Sequence, residues 1–365
     1  MPKKVHLLVG THKGAFIFTS DLKRKNWTMK GPLLKGADVH NLILDTRGKP
    51  RGGKPTMYAA ANSYWWGPNV HISKDMGKTW VQSEGGVRFE ESRGKKVERV
   101  WAVWPGHASQ PKVLYAGVDP GTMFRSEDSG KSWTEVKGLT DHPTRDKWNP
   151  GAGGMMVHSF AQHPASAKKM YVGISAAGTF VTEDGGATWE PRNKGVLADF
   201  QPEKYPEVGQ CVHHLEMHPA KPDVLYQQNH CGVYRSDNGG KQWVDISKGL
   251  PARFGFPMAI HPHDPDTVYV IPEEGAEYRG PVGSFGVYRS KNKGAKWQKL
   301  NKGLPAKEMF VHVYRQAMTV DTCDPCGVYV GTSGGQILYS RNEGDSWQVL
   351  ATWLPSVFSL SAAVV

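Results

Sequence analysis

The chain of 365 residues carries a net charge of +11 and combines 42 glycines, 25 prolines and 13 tryptophans with four cysteines and a hydrophobic fraction of 39%. So few cysteines exclude a disulfide scaffold, and no apolar run approaches the roughly 20 residues of a membrane span. The basic residues are scattered (Lys23 to Lys25, Arg51 to Lys54, Lys95 and Lys96), which argues against a nucleic-acid-binding face.

The chain opens with Met1-Pro2-Lys3-Lys4 and an apolar run, Val5 to Gly10, too short for a signal peptide, so a soluble cytoplasmic protein is expected. Two strands are predicted next, Val5 to Thr11 and Gly14 to Thr19. From there a repeat organises the sequence. Six segments align without gaps: Ser73 to Trp80, Ser126 to Trp133, Thr182 to Trp189, Ser236 to Trp243, Ser290 to Trp297 and Ser340 to Trp347. A seventh, Ser20 to Trp27, keeps its ends but has Arg24 where the others have glycine. Successive tryptophans lie 50 to 56 residues apart, about one four-stranded blade. Asp75, Asp128 and Asp184, or Asn238, Asn292 and Asn342, suit a side chain folded back onto turn amides. The glycine suits positive φ, and the tryptophan suits a plug in the blade's apolar layer.

These segments resemble the Asp-box, or BNR, repeat of sialidases, sortilin-type receptors, tandem-propeller xyloglucanases and a photosystem II assembly factor. The resemblance covers the whole chain. It implies an all-β, seven-bladed β-propeller with four-stranded blades, one domain over residues 1–365. With strands lettered A to D from the axis outward, the chain starts at strands B and C of blade one. The stretch Val357 to Val365 supplies the missing strand A. The repeat turns and the A–B turns then share one face, and the variable D–A and B–C loops share the other, where function is expected.

Aligning the innermost strands defines a slot two residues before a recurrent apolar position. From blade two round to blade one it holds His40, Trp101, His158, His213, Phe256, Gln316 and Phe358. Imidazoles converging on an axis suit zinc, manganese, iron or copper, so His40, His158, His213 and Gln316 form the candidate metal set. His214, Arg99 and Arg315 are candidates for proton transfer or anion holding, and Trp101 for contacting substrate. His230 is expected near His213, and Cys211 opposite Cys231. The bland alternative is that each slot histidine satisfies a backbone carbonyl between blades. His163, His218 and His261 precede prolines in the A–B turns and read as structural, as does the Cys323-Asp324-Pro325-Cys326 turn.

Long B–C loops offer another chemistry. Tyr64, Trp65 and Trp66 suit stacking on a sugar, and Ile271 to Gly286 carries Glu273, Glu274, Glu277, Tyr278 and Arg279. The D–A loop before blade four adds Asp141, His142, Arg145, Asp146 and Trp148. The favoured expectation is an enzyme with a histidine-lined, metal-binding funnel doing hydrolysis or lyase chemistry on a small polar substrate. A glycoside hydrolase-like or glycan-binding protein, with Glu277 and Arg279 in its site, and a non-catalytic scaffold for protein partners stay open beside it. The sialidases' Arg-Ile-Pro motif, the xyloglucanases' second propeller and the sortilins' cysteine-rich module are not found in the sequence.

Overall fold

Every repeat can bury its apolar face only against the next, and in the computed structural model the ring closes at seven. The structure describes residues 2–48, 54–151, 153–274 and 281–365. They form seven antiparallel four-stranded sheets whose innermost strands are Val357–Val364, Asp38–Asp45, Arg99–Pro105, Val157–Gln162, Val212–His218, Gly255–Ile260 and Met318–Val320, for blades one to seven. Blade one is completed as expected: Val357–Val364 pairs with Lys4–Thr11 from Val5↔Val364 to Thr11↔Val357. Among the described residues no helix is long and apolar enough to cross a membrane.

The repeat turns are built alike, with one refinement of the expectation. The Asp75 carboxylate accepts from the amides of Lys78 and Thr79, both at 2.9 Å, while the Ser73 hydroxyl accepts from the Gly77 amide at 2.8 Å and donates to Asp75. The leading serine or threonine is therefore a full partner in the turn. Two consecutive residues are left-handed, Met76 at φ 58° and Gly77 at 74°, so glycine relieves the strain at the second. In blades three to seven the turn lies on its own blade's A–B connection, as in Gly239 N–H to Asp223 O at 2.9 Å. Some of the tryptophans reach further than one blade, whereas Trp27 and Trp189 donate within their own turns. Trp243 donates to Arg192 O and Trp297 to Ile246 O, both at 2.8 Å, sealing junctions with the preceding blade.

The irregular seventh turn has a distinct role. Arg24 takes the left-handed conformation at φ 52° and is 4% exposed. Its guanidinium lies 3.0 Å from Asp321 Oδ2 and 3.0 Å from Pro325 O, tying blade one to blade seven where the ring closes. Asp321 also organises the Cys323–Cys326 turn, accepting from the amides of Cys323 and Gly327. No disulfide forms there or elsewhere among the described residues.

The axis is shaped by β-bulges. Pairing in blade two passes from Val39↔Ala61 to Asn41↔Ala60, so His40 has no partner across the ladder. The same extra residue is Trp101 in blade three, His158 in blade four, His213 in blade five and Phe358 in blade one. In blade six the bulge falls within Phe256 and Pro257. A bulge re-aims a side chain out of the alternating pattern, which turns these positions toward the funnel.

Candidate functional site

The bulged positions pack into two neighbourhoods. His40 stacks on Phe358 with ring centres 4.9 Å apart and lies 4.5 Å from Trp101. Burial, and then the charge of Arg99, lowers the His40 pKa to about 3. Across the funnel, His213 stacks on Phe256 at 4.7 Å, and Arg315 lies over the same Phe256 ring, 4.9 Å from its centre. His158 and His213 are both held neutral, with pKa values well below 6.5, first by burial and then by Arg315.

The expected metal set does not assemble. Both ring nitrogens of His158 are engaged, Nε2 with Val212 O at 2.9 Å and Nδ1 with Ser159 Oγ at 2.9 Å. Gln316 donates its amide to His158 O at 2.8 Å. His40 lies among the aromatic rings. Among the described residues the one His/Cys/Asp/Glu group whose ligand atoms lie close enough for a metal is Cys211, His213 and His230, all within 4.8 Å of one another. Only His213 is common to the two sets. His214 sits in a link between blades, with Nδ1 2.7 Å from Arg315 O and Nε2 3.0 Å from Glu216 Oε1, while Glu216 accepts from the Ile260 amide. Arg99 is exposed at the start of its strand, paired in register with Asp119.

Cys211, His213, His230 and Arg315 line a cavity of about 370 Å³ on the D–A and B–C face, together with Phe200, Phe254 and Phe256. The expected neighbour of Cys211 is replaced. Cys231 turns away to donate its thiol to Asp199 Oδ1 at 3.0 Å, and burial raises that thiol to about 12. His230 takes the place beside Cys211, with its amide donating to Cys211 O at 3.0 Å. The hairpin register alone could have predicted this: Val212 faces Asn229, so the residues just outside the pair meet.

The blade-two B–C loop presents its aromatics to solvent. Tyr64 is 94% exposed, Trp65 82% and Trp66 50%, and Tyr64 meets Trp65 edge to face at 5.4 Å. Trp66 forms one wall of a cleft of about 430 Å³ whose polar lining includes Asn69, Gln82, Arg88, Lys95 and Lys96. Glu277, Tyr278 and Arg279 lie outside the described residues. Glu273 is engaged with His312. In the D–A loop before blade four, Trp148 and His142 are buried, His142 within 3.1 Å of Trp189 O, so that loop serves the core.

No family model matches the chain. It is 26% identical over 239 residues to a probable oligoxyloglucan-reducing end-specific xyloglucanase of Neosartorya fischeri, covering 60% of this chain and 25% of that protein. The oligoxyloglucan-reducing end-specific xyloglucanase of Emericella nidulans is 22% identical over 205 residues, covering 48% and 24%. This chain thus spans about a quarter of the length of the curated relatives it matches. Among solved structures, the GH74 enzyme of Niastella koreensis superposes with a TM-score of 0.61 at 18% identity, over 93% of this chain and 51% of that one. The chain is a seven-bladed β-propeller whose neighbours include the GH74 xyloglucanases.

Proposed function

We propose that this protein is carbohydrate-directed and glycoside hydrolase-like, holding an oligosaccharide against the blade-two B–C loop. The observation that carries the reading is the exposure of Tyr64, Trp65 and Trp66 beside a cleft lined by amides and cations. Water solvates a flat apolar ring poorly. The C–H face of a pyranose covers such a ring while Asn69, Gln82 and the lysines take its hydroxyls. The xyloglucanase relatives support the same substrate class.

Cleavage of a glycosidic bond uses a carboxyl that protonates the leaving oxygen, and burial favours the protonated form. We assign that role to Asp119, which is half-buried at the loop end of its strand. Burial raises its pKa against the counter-pull of Arg99. Calorimetric titration with xyloglucan oligosaccharides and with charged and neutral glucans, alongside an assay of released reducing ends, tests the reading. Expected are saccharide binding weakened roughly tenfold by Trp65→Ala with an unchanged melting temperature, and hydrolysis lost in Asp119→Asn while binding persists. Failure of every glycan to bind overturns it. A pure scaffold would instead fill the funnel with side chains, whereas a cavity of about 370 Å³ opens there.

A further inference from the structure

The top of blade five gathers three metal-ligating side chains that the saccharide reading does not use. They come from three backbone positions that the fold holds together. Cys211 immediately precedes the innermost strand, His213 is that strand's bulged residue, and His230 immediately follows the next strand. The hydrogen bond from the His230 amide to Cys211 O recurs elsewhere in the ring as Ser175 N–H to Met156 O at 3.1 Å and Glu273 N–H to Phe254 O at 2.8 Å. The scaffold geometry is therefore common to several blades, and blade five fills it with ligands.

The chemistry of the imidazoles fits. A carbonyl oxygen can only accept, so the contact between His213 Nδ1 and Gly255 O at 2.6 Å puts the proton on Nδ1 and leaves the lone pair on Nε2. Metal-binding histidines are oriented by this kind of outer hydrogen bond. Phe254 lies edge-on to both rings, 5.0 Å from His213 and 5.0 Å from His230, and Phe200 packs on His230 at 5.1 Å. These walls limit rotation of the imidazoles. In a tetrahedral zinc site the donor atoms are about 3.3–3.6 Å apart, given Zn–N near 2.0–2.1 Å and Zn–S near 2.3 Å. Donors already within 4.8 Å reach that spacing by small side-chain adjustments.

We propose that Cys211, His213 and His230 form a zinc site whose fourth coordination position opens into the cavity beside Arg315. One thiolate and two imidazoles suit a borderline-soft divalent ion, and three protein ligands leave a position for water or a ligand. The Arg315 guanidinium, held over Phe256, makes that position favourable for a small anion such as a carboxylate or phosphate. The site is independent of the aromatic loop and of the saccharide reading.

The test uses the purified full chain, stripped with chelator, dialysed and titrated with Co²⁺ and then Zn²⁺. Expected are one equivalent of Co²⁺ with the intense visible bands of a tetrahedral ion and a thiolate-to-cobalt charge-transfer band, both displaced by Zn²⁺. Cys211→Ser removes the charge-transfer band, and His230→Gln weakens Zn²⁺ binding by roughly a hundredfold or more. Far-ultraviolet circular dichroism confirms that both variants fold. Cys323→Ser, on the opposite face, leaves the spectrum unchanged. Absence of the charge-transfer band in the parent protein, its persistence in Cys211→Ser, or its loss in Cys323→Ser would each overturn the proposal.

Discussion

Arg24 shows how much a departure from a repeat can mean. Read along the chain it is a defect, an arginine where six equivalent turns carry glycine. In the folded ring it accepts a left-handed backbone, at about 1–2 kcal/mol for an L-residue, and places a buried guanidinium on Asp321. Removing one member of a buried pair typically costs about 3–5 kcal/mol. Asp321 keeps the Tyr329 hydroxyl at 2.7 Å and the two turn amides, so Arg24→Ala should fall at the lower end, near 3 kcal/mol, by urea unfolding. A loss below about 1 kcal/mol would place the bond among weak surface pairs. Buried histidines supply a pH prediction. The pKa of His40 is lowered to about 3 and that of His71 to about 4, both by burial, and that of His158 lies well below 6.5. The native protein keeps these rings neutral while the unfolded chain protonates them below pH 6.5. Stability is therefore complete above pH 6.5 and is lost as pH falls toward the folded values, by about 1.4 kcal/mol per unit for each histidine. Guanidinium unfolding at pH 7.5 and pH 5 should show this slope, and His40→Phe should reduce it by about one histidine's share.

Strands and their junctions carry the next set of constraints. Where one blade's second strand meets the next blade's innermost strand, the side chain must almost vanish. A Cβ on Gly117 would collide with the Val157 carbonyl, and one on Gly10 with the Val39 carbonyl. Both obstacles are backbone, so Gly117→Ala should destabilise by about 1–3 kcal/mol, the usual range for an overpacked core. Gly151→Ala, with open space around it, should stay within about 0.5 kcal/mol. Parallel thermal melts of the two variants check the contrast. The slot of seven axial residues was legible in the sequence because it repeats. Its members diverge in use because each bulge aims its residue at different neighbours, so His158 meets a carbonyl and a hydroxyl while His213 meets Gly255 and the cavity. Bulges leave no mark in hydrophobic periodicity, so the three histidines looked equivalent.

The ring as a whole is held shut by strand Val357–Val364, paired along its length with Lys4–Thr11, and by Arg24 beneath it. A chain ending at Pro355 leaves the Lys4–Thr11 edge of blade one unpaired and uncovers apolar surface on the blades beside it. It should lose its sharp unfolding transition and aggregate, measurable by scanning calorimetry and light scattering. Recovery of a native-like melt on adding a peptide of sequence VFSLSAAVV would identify strand pairing as the cause. Two faces divide the labour. One is filled by six near-identical turns and the irregular Arg24 turn, whereas the other carries the aromatic loop of blade two and the cavity at blade five.

Blade number, strand order and ring closure were readable from local sequence. A turn that needs serine or threonine, aspartate or asparagine, and glycine at set spacing records its own geometry, and its period counts the blades. The grouping of Cys211 with His213 and His230, the diversion of Cys231 to Asp199 and the clasp of Arg24 on Asp321 depend on which side chains meet across strands and blades. Those meetings follow from register, bulges and twist summed around a closed ring, and no segment of the chain encodes them alone.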